Sequence, residues 1–138
     1  MSHLPINPPT LLPPIGFSHG MIAEGGRLLF LGGQTGHYAD GSLAHGLVEQ
    51  FAQALRNIAV VLDHAGGRVE DLVSMQIYVT DVSAYRAVPK ELGRAYREVL
   101  GRHFPAVALL GTPALYDPDA VVEIVTTAVL PSGERGER

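Results

Sequence analysis

A glutamate inside a mostly apolar strand is the strongest candidate for chemistry in this chain. Glu123 interrupts the run from Ala120 to Leu130. Burial of a carboxylate favours its neutral form, which suits the group to general acid-base catalysis. The alternative is a structural carboxylate that accepts hydrogen bonds at a subunit interface. Glu123 is therefore the predicted catalytic residue.

Two residues at the end of an earlier strand could hold the oxygen of a ligand. Gly33 and Gln34 follow Leu31-Gly32, and they offer a close backbone N–H and a side-chain amide. The alternative for Gln34 is an ordinary hydrogen bond at the strand end. Ser18 is interpreted as a loop hydroxyl, because a hydroxyl without a base to accept its proton is a weak nucleophile.

The six histidines do not predict a metal site. They show no His-x-His or His-Glu-x-x-His grouping, and none lies one helical turn from another. His19 and His103 lie next to motif segments and are candidate proton carriers at neutral pH, with a packing role as the alternative. We expect neither a metal nor a cofactor.

Composition predicts a single domain over residues 1–138 and argues against nucleic acid as a partner. The chain is 46% hydrophobic and 17% charged, which is enough apolar material for one core. Its formal net charge is -4 and its basic residues are scattered, whereas nucleic-acid-binding proteins usually gather Lys and Arg on one face. With no cysteine, no recognisable signal peptide and no membrane span, we expect a cytoplasmic protein without a membrane partner.

The hydrophobic periodicity predicts an α+β protein with the order β-β-α-β-α-β-β. The elements are expected at 18–24, 27–31, 44–65, 72–80, 89–100, 107–111 and 120–130. Gly25-Gly26 predicts a two-residue hairpin turn between the first two strands. Residues 1–14 are rich in proline and predict an extended arm without regular structure, and 131–138 predict a flexible tail.

The last strand is apolar on both faces, although two helices on one side of a mixed sheet can cover only one of them. Val121, Val125 and Val129 alternate with residues such as Val122 and Ile124. A symmetric oligomer would cover the second face, since large exposed apolar patches are unusual on monomers. Packing of the strand ends on loops is the alternative.

Six short motifs, in their order and spacing, resemble those of one known family. They are Ile15-Gly16-Phe17-Ser18, Leu31-Gly32-Gly33-Gln34, the helix pattern from Gln50 to Ala65-Gly66, Val79-Thr80-Asp81, Phe104-Pro105-Ala106 and Val122-Glu123-Ile124. The chain is thereby similar to the Rid family, also named YjgF/YER057c/UK114 and endoribonuclease L-PSP. The resemblance implies a chorismate-mutase-like two-layer sandwich, a homotrimer, and small-molecule pockets between adjacent subunits.

The chain departs from the family at the position of its catalytic arginine. The family pocket has an Arg for the substrate carboxylate, a Glu for the attacking water, and supporting Tyr, Ser and Asn. The matching positions here are Val107, Glu123, Ser18, Gly32 and Pro89. Loss of a bidentate Arg–carboxylate contact removes about 2 to 4 kcal/mol of binding. Another Arg, such as Arg27 or Arg102 of a neighbouring subunit, could restore it.

The substitutions predict a binding site that is more apolar than is usual in the family. Phe17, Leu109 and Tyr116 are expected to line it together with Val107, which favours a larger or less acidic ligand. Three functions stay open. They are an enamine or imine hydrolase (a deaminase) in clefts between subunits, a noncatalytic ligand-binding or chaperone-like trimer, and, with least support from the charge, an endoribonuclease.

Overall fold

The computed structural model describes residues 3–133, which form six strands, three α-helices and one 3-10 turn. Their bounds are β1 Leu4–Ile6, β2 Gly20–Ile22, β3 Arg27–Gln34, α1 Gly46–His64, the 3-10 turn Val69–Asp71, β4 Leu72–Val79, α2 Val82–Arg86, α3 Pro89–Leu100, β5 Ala106–Gly111 and β6 Val122–Leu130. The predicted order is confirmed from β2 onward, and β1 and the short α2 are additional to it.

Four of the strands form a mixed sheet in the order β3-β6-β4-β5. β6 runs antiparallel to both β3 and β4, whereas β4 and β5 are parallel and are connected through α2 and α3. The two long helices pack on one face of this sheet. The predicted α+β class, with a mixed sheet and two main helices on one face, is therefore confirmed.

The core lies between the sheet and the pair α1 and α3. On α1, Phe51, Leu55, Ile58 and Leu62 recur at helical spacing and are almost fully buried. Each such side chain stabilises the fold by about 1.5–3 kcal/mol relative to exposure. Met75, Ile77 and Val79 of β4 and Val122 and Ile124 of β6 complete the core from the sheet.

The two long helices leave the opposite face of the sheet uncovered, and this face is called the open face. The ladder pairs Phe30 with Thr127, Gln76 with Val125 and Tyr78 with Glu123, so all six side chains share this face. Phe30 is 73% exposed and Leu28 is 64% exposed. Large side chains such as these two form an exposed apolar patch, which is unusual on the surface of a soluble monomer.

The predicted hairpin between β2 and β3 is wrong. β2 pairs with β1, and β3 pairs with β6. Gly25 does have a positive φ of 123°, but a Cβ there would lie 2.7 Å from the carbonyl oxygen of Leu130, and the Gly26 N–H donates to that same oxygen. The two glycines thus let the chain pass against the end of β6, and they do not form a hairpin turn.

The proline-rich arm contains regular structure, contrary to expectation. β1 forms a short antiparallel ladder with β2, in which Pro5 lies opposite Met21. Buried His3 anchors the arm: its Nε2 lies 2.9 Å from the carbonyl oxygen of Val129, and its Nδ1 accepts from the Glu24 N–H at 2.9 Å. Of the predicted tail, residues 134–138 lie outside the described part of the chain.

Candidate functional site

The Glu123 carboxylate lies directly against the backbone of Gly33. Glu123 projects from β6 onto the open face, and the β3–β6 ladder shifts register between Leu31 and Gln34. A Cβ placed on Gly33 would overlap the carboxylate, with the Glu123 Cδ only 2.8 Å away. An alanine at this position would require the Glu123 carboxylate to move, so the irregular end of β3 and the position of the glutamate side chain depend on each other.

Side chains of α1 hold both of these segments in place. Gln50 is buried, and its Oε1 accepts from the Val121 N–H at 2.9 Å, which fixes the start of β6. The Asn57 amide donates to the carbonyl oxygens of Thr35 at 3.1 Å and His37 at 2.9 Å, which fixes the chain beyond β3. The helix therefore positions Glu123 and Gly33 from the core side of the sheet.

The carboxylate is available to a ligand in this subunit. Glu123 is half-buried, and among residues 3–133 no hydrogen bond or ion pair to its carboxylate is present. The Gln34 amide reaches only the Gly32 carbonyl, at 3.5 Å, which is the outer limit for a hydrogen bond. A half-buried carboxylate beside an exposed glycine backbone can accept a proton from a bound water.

The other predicted site residues gather at the edge strand β5. Phe17, Ser18 and Val107 line a shallow hollow of about 250 Å³, and Leu109 shares an adjoining space with Phe17 and Val107. Ser18 is 5% exposed. Its hydroxyl donates to the Phe104 carbonyl at 2.6 Å, and its backbone N–H donates to the Pro105 carbonyl at 3.0 Å. Ser18 therefore attaches the N-terminal segment to β5.

A single chain does not bring Glu123 and Gly33 together with the candidate residues at the β5 edge. Val107 pairs with Met75 on the helix-covered face, whereas Glu123 pairs with Tyr78 on the open face. The two positions differ by three residues along β4, which is roughly 10 Å, and they lie two strands apart. Tyr116 is fully exposed in the loop before β6 and belongs to neither group.

A larger apolar cleft lies between α2, α3 and β5, and the sequence did not predict it. It has a volume of about 640 Å³. Its aromatic lining comes from Phe51, Tyr85, Tyr96 and Phe104, and Leu109 connects it to the space at Val107. Burial raises the pKa of Tyr85. Burial also raises the pKa of Tyr96, and the nearby Tyr85 raises it further. The lining residues of α2 and α3 are far from β5 in the sequence, so no local pattern predicts that they share a cleft with it.

The histidines considered as proton carriers bind backbone carbonyls. His19 Nε2 lies 2.6 Å from the Leu12 oxygen, and His103 Nε2 lies 2.7 Å from the Leu72 oxygen. The sequence gave no indication of a third arrangement, in which His37 lies between Thr35 and Asp117. Its Nδ1 is 2.5 Å from the Thr35 hydroxyl, and its Nε2 is 2.8 Å from the Asp117 carboxylate. This chain of contacts ties the loop after β3 to the loop before β6.

The described residues contain neither a metal-binding cluster nor a membrane-spanning helix. No cluster of three or more His, Cys, Asp or Glu side chains in residues 3–133 has the geometry to bind a metal ion. Over the same span, none of the helices combines the length and the apolar character that crossing a membrane requires.

Comparison with known proteins gives consistent matches over most of the chain. The sequence model of the family described as "Endoribonuclease L-PSP" matches residues 10–130. A RutC family protein of Aquifex aeolicus is 32% identical over 94 residues, covering 67% of this chain and 71% of that protein. Protein mmf2, mitochondrial, of Schizosaccharomyces pombe is 33% identical over 107 residues, with coverage of 77% and 79%.

A solved structure matches the whole architecture. It is the protein YyfB of Yersinia pestis, described as a protein of unknown function of the conserved Rid protein family. The TM-score is 0.83 at 33% sequence identity, and the match covers 94% of this chain and 100% of the other.

The contact between Gly33 and Glu123 predicts an energetic coupling. We expect Gly33→Ala to destabilise the protein, because the new Cβ displaces the carboxylate, and we expect the cost to disappear in a Glu123→Ala background. Urea unfolding of both single variants and the double variant should give a coupling energy of about 1 kcal/mol. The control is Gly32→Ala, since a Cβ there meets nothing within 4 Å. Additive effects would contradict the contact.

The link between His37 and Asp117 predicts a pH dependence. Hydrogen bonds from the Asp119 N–H and from His37 lower the pKa of Asp117 below its ordinary value. A lowered folded-state pKa stabilises the protein above the unfolded value of about 3.9, and this contribution is lost as pH falls through the folded pKa. We therefore expect Asp117→Asn to lower the urea midpoint at pH 7, by an amount that shrinks as the pH falls below about 3.9. Glu24→Gln, exposed in the loop between β2 and β3, serves as the charge control, and a difference independent of pH would exclude this contribution.

Proposed function

This chain belongs to the endoribonuclease L-PSP family, also named Rid or YjgF/YER057c/UK114, and on that premise we propose that it is a divergent Rid-type hydrolase of carbon–nitrogen bonds. Its substrate would be an imine or enamine, and its products a carbonyl compound and ammonia. The observation that carries the proposal is the Glu123 carboxylate, which lies against the Gly33 backbone and has no hydrogen bond or ion pair to any of residues 3–133. A group placed in this way can activate water.

The proposed reaction needs one base and no cofactor. The Glu123 carboxylate takes a proton from water as the water oxygen bonds to the carbon of the C=N group. The Glu123 carboxylic acid formed in this step gives its proton to the nitrogen, which yields a tetrahedral carbinolamine and restores the carboxylate. The carboxylate then takes the hydroxyl proton of the carbinolamine and passes it to the nitrogen, so that the C–N bond breaks, the carbonyl forms and ammonia leaves. Gly33 and Gln34 lie where a backbone N–H and an amide could hold the developing oxygen.

A complete site would require a second copy of the chain. Glu123 and Gly33 lie on the open face, whereas Phe17, Val107 and Leu109 lie at the β5 edge. Covering the exposed Phe30 and Leu28 with a neighbouring subunit would remove apolar surface from water. We propose a homotrimer in which the Glu123 group of one subunit faces the β5 edge of the next, in the cytoplasm.

The substitution at Val107 bears on which substrate the protein accepts. A valine cannot bind a carboxylate, so a small imino acid would lose about 2 to 4 kcal/mol of binding that an arginine supplies. This observation also favours the second candidate function, a noncatalytic trimer that binds a small molecule in the same clefts. RNA cleavage has less support, because the chain carries a net charge of -4.

Hydrolysis of 2-iminopropionate, generated in place by an amino-acid oxidase, tests the proposed reaction. Wild type should release pyruvate and ammonia faster than the uncatalysed reaction, and Glu123→Gln should lower the rate by about 10²- to 10⁴-fold because it removes the base. Val107→Arg should lower KM for this small acid by restoring a carboxylate contact. A Glu123→Gln variant as active as wild type would exclude the mechanism, and inactivity of all three proteins would favour the binding function.

A further inference from the structure

We propose that the cleft between α2, α3 and β5 binds the body of the ligand, and that this ligand is an amphipathic carboxylate with an aromatic or long aliphatic group. This inference rests on the proposed function, in that the reacting end of the ligand would lie at Val107. It differs from that function because it concerns the remote end of the molecule. The large group would occupy the cleft, and its carboxylate would bind at the rim.

The walls of the cleft suit a flat apolar group. The rings of Tyr96 and Phe104 are stacked, with centroids 5.3 Å apart and an interplanar angle of 7°. Phe51 and Tyr85 meet edge to face at 6.1 Å. Aromatic surfaces of this kind bind flat rings and alkyl chains through large contact areas. The Tyr85 hydroxyl makes no hydrogen bond within residues 3–133, so it is free to donate one to a ligand.

The size of the cleft suits a ligand larger than a three-carbon metabolite. Sites that bury drug-sized molecules measure about 300–1,000 Å³. The cleft measures about 640 Å³, far more than a three-carbon imino acid can fill. It shares Leu109 and the Ile15-Gly16 segment with the space beside Val107. A ligand could therefore extend from the β5 edge into the cleft.

Two arginines at the rim of the cleft indicate that its ligand is negatively charged. Arg86 of α2 and Arg97 of α3 line the cleft, and neither takes part in the ion pairs found within residues 3–133. A Cβ on Gly93 would lie 3.2 Å from the Arg97 Nη1, so the guanidinium lies along α3 over this glycine. An unpaired guanidinium beside an apolar surface matches a carboxylate attached to an apolar group. Arg86 and Arg97 would thus bind the carboxylate in place of the arginine that the family has at the position of Val107.

Direct binding of indole-3-acetate tests the proposal without requiring turnover. The chain contains no tryptophan, so the indole fluorescence of this probe reports its own binding. We expect saturable binding to wild type, and at least about tenfold weaker binding to the double variant Arg86→Gln/Arg97→Gln, which loses charge-assisted contacts. The matched control is Arg94→Gln, because exposed Arg94 on α3 does not line the cleft. Gly93→Leu should weaken binding to a similar extent by filling the cleft.

The outcomes separate this proposal from the hydrolase. Glu123→Gln should bind the probe as wild type does, so a failure of the catalytic mechanism leaves the expected binding unchanged. Absence of binding to wild type, or equal affinity of the double arginine variant and Arg94→Gln, would overturn the proposal. A change in solution mass of Gly93→Leu would overturn it as well, because the cleft would then be covered by another copy of the chain.

Discussion

The contact between the Glu123 carboxylate and the Gly33 backbone constrains the rest of this site. In the observed position of the carboxylate, a Cβ on Gly33 would overlap it, and the β3–β6 ladder shifts register between Leu31 and Gln34. Helix α1 holds both segments, through Gln50 at the start of β6 and Asn57 beyond β3. The carboxylate stays available on the open face of the sheet, because it takes part in no ion pair within residues 3–133.

The pleat of the sheet places Val107 and Glu123 on opposite faces of one chain. Side chains of successive residues alternate between faces, so Val107 and Glu123 cannot face each other within one subunit. The same alternation leaves Phe30 and Leu28 exposed beside Glu123. In the proposed oligomer, one contact between neighbouring chains would cover the apolar face and would also bring Glu123 of one chain close to Val107 of the next.

Local patterns predicted the two long helices and the central strands, whereas the contacts that they missed join residues far apart in the sequence. The period of Phe51, Leu55 and Ile58 identified α1, and the two-sided pattern of β6 identified the strand that carries Glu123. The glycines at 25 and 26 were misinterpreted because their close approach to Leu130 depends on a strand far along the chain. For the same reason the scattered basic residues gave no indication that the fold would place Arg86 and Arg97 at one cleft.

The mass of the protein in solution tests most directly whether a second subunit completes the site. Light scattering of wild type should give about 44 kDa, three times the 14.7 kDa of the chain. Phe30→Glu, which places a charge on the open face, should shift the protein toward the mass of one chain. A wild-type mass of 14.7 kDa at micromolar concentration would contradict the account, because Glu123 and the β5 edge would then remain on opposite faces of a single sheet.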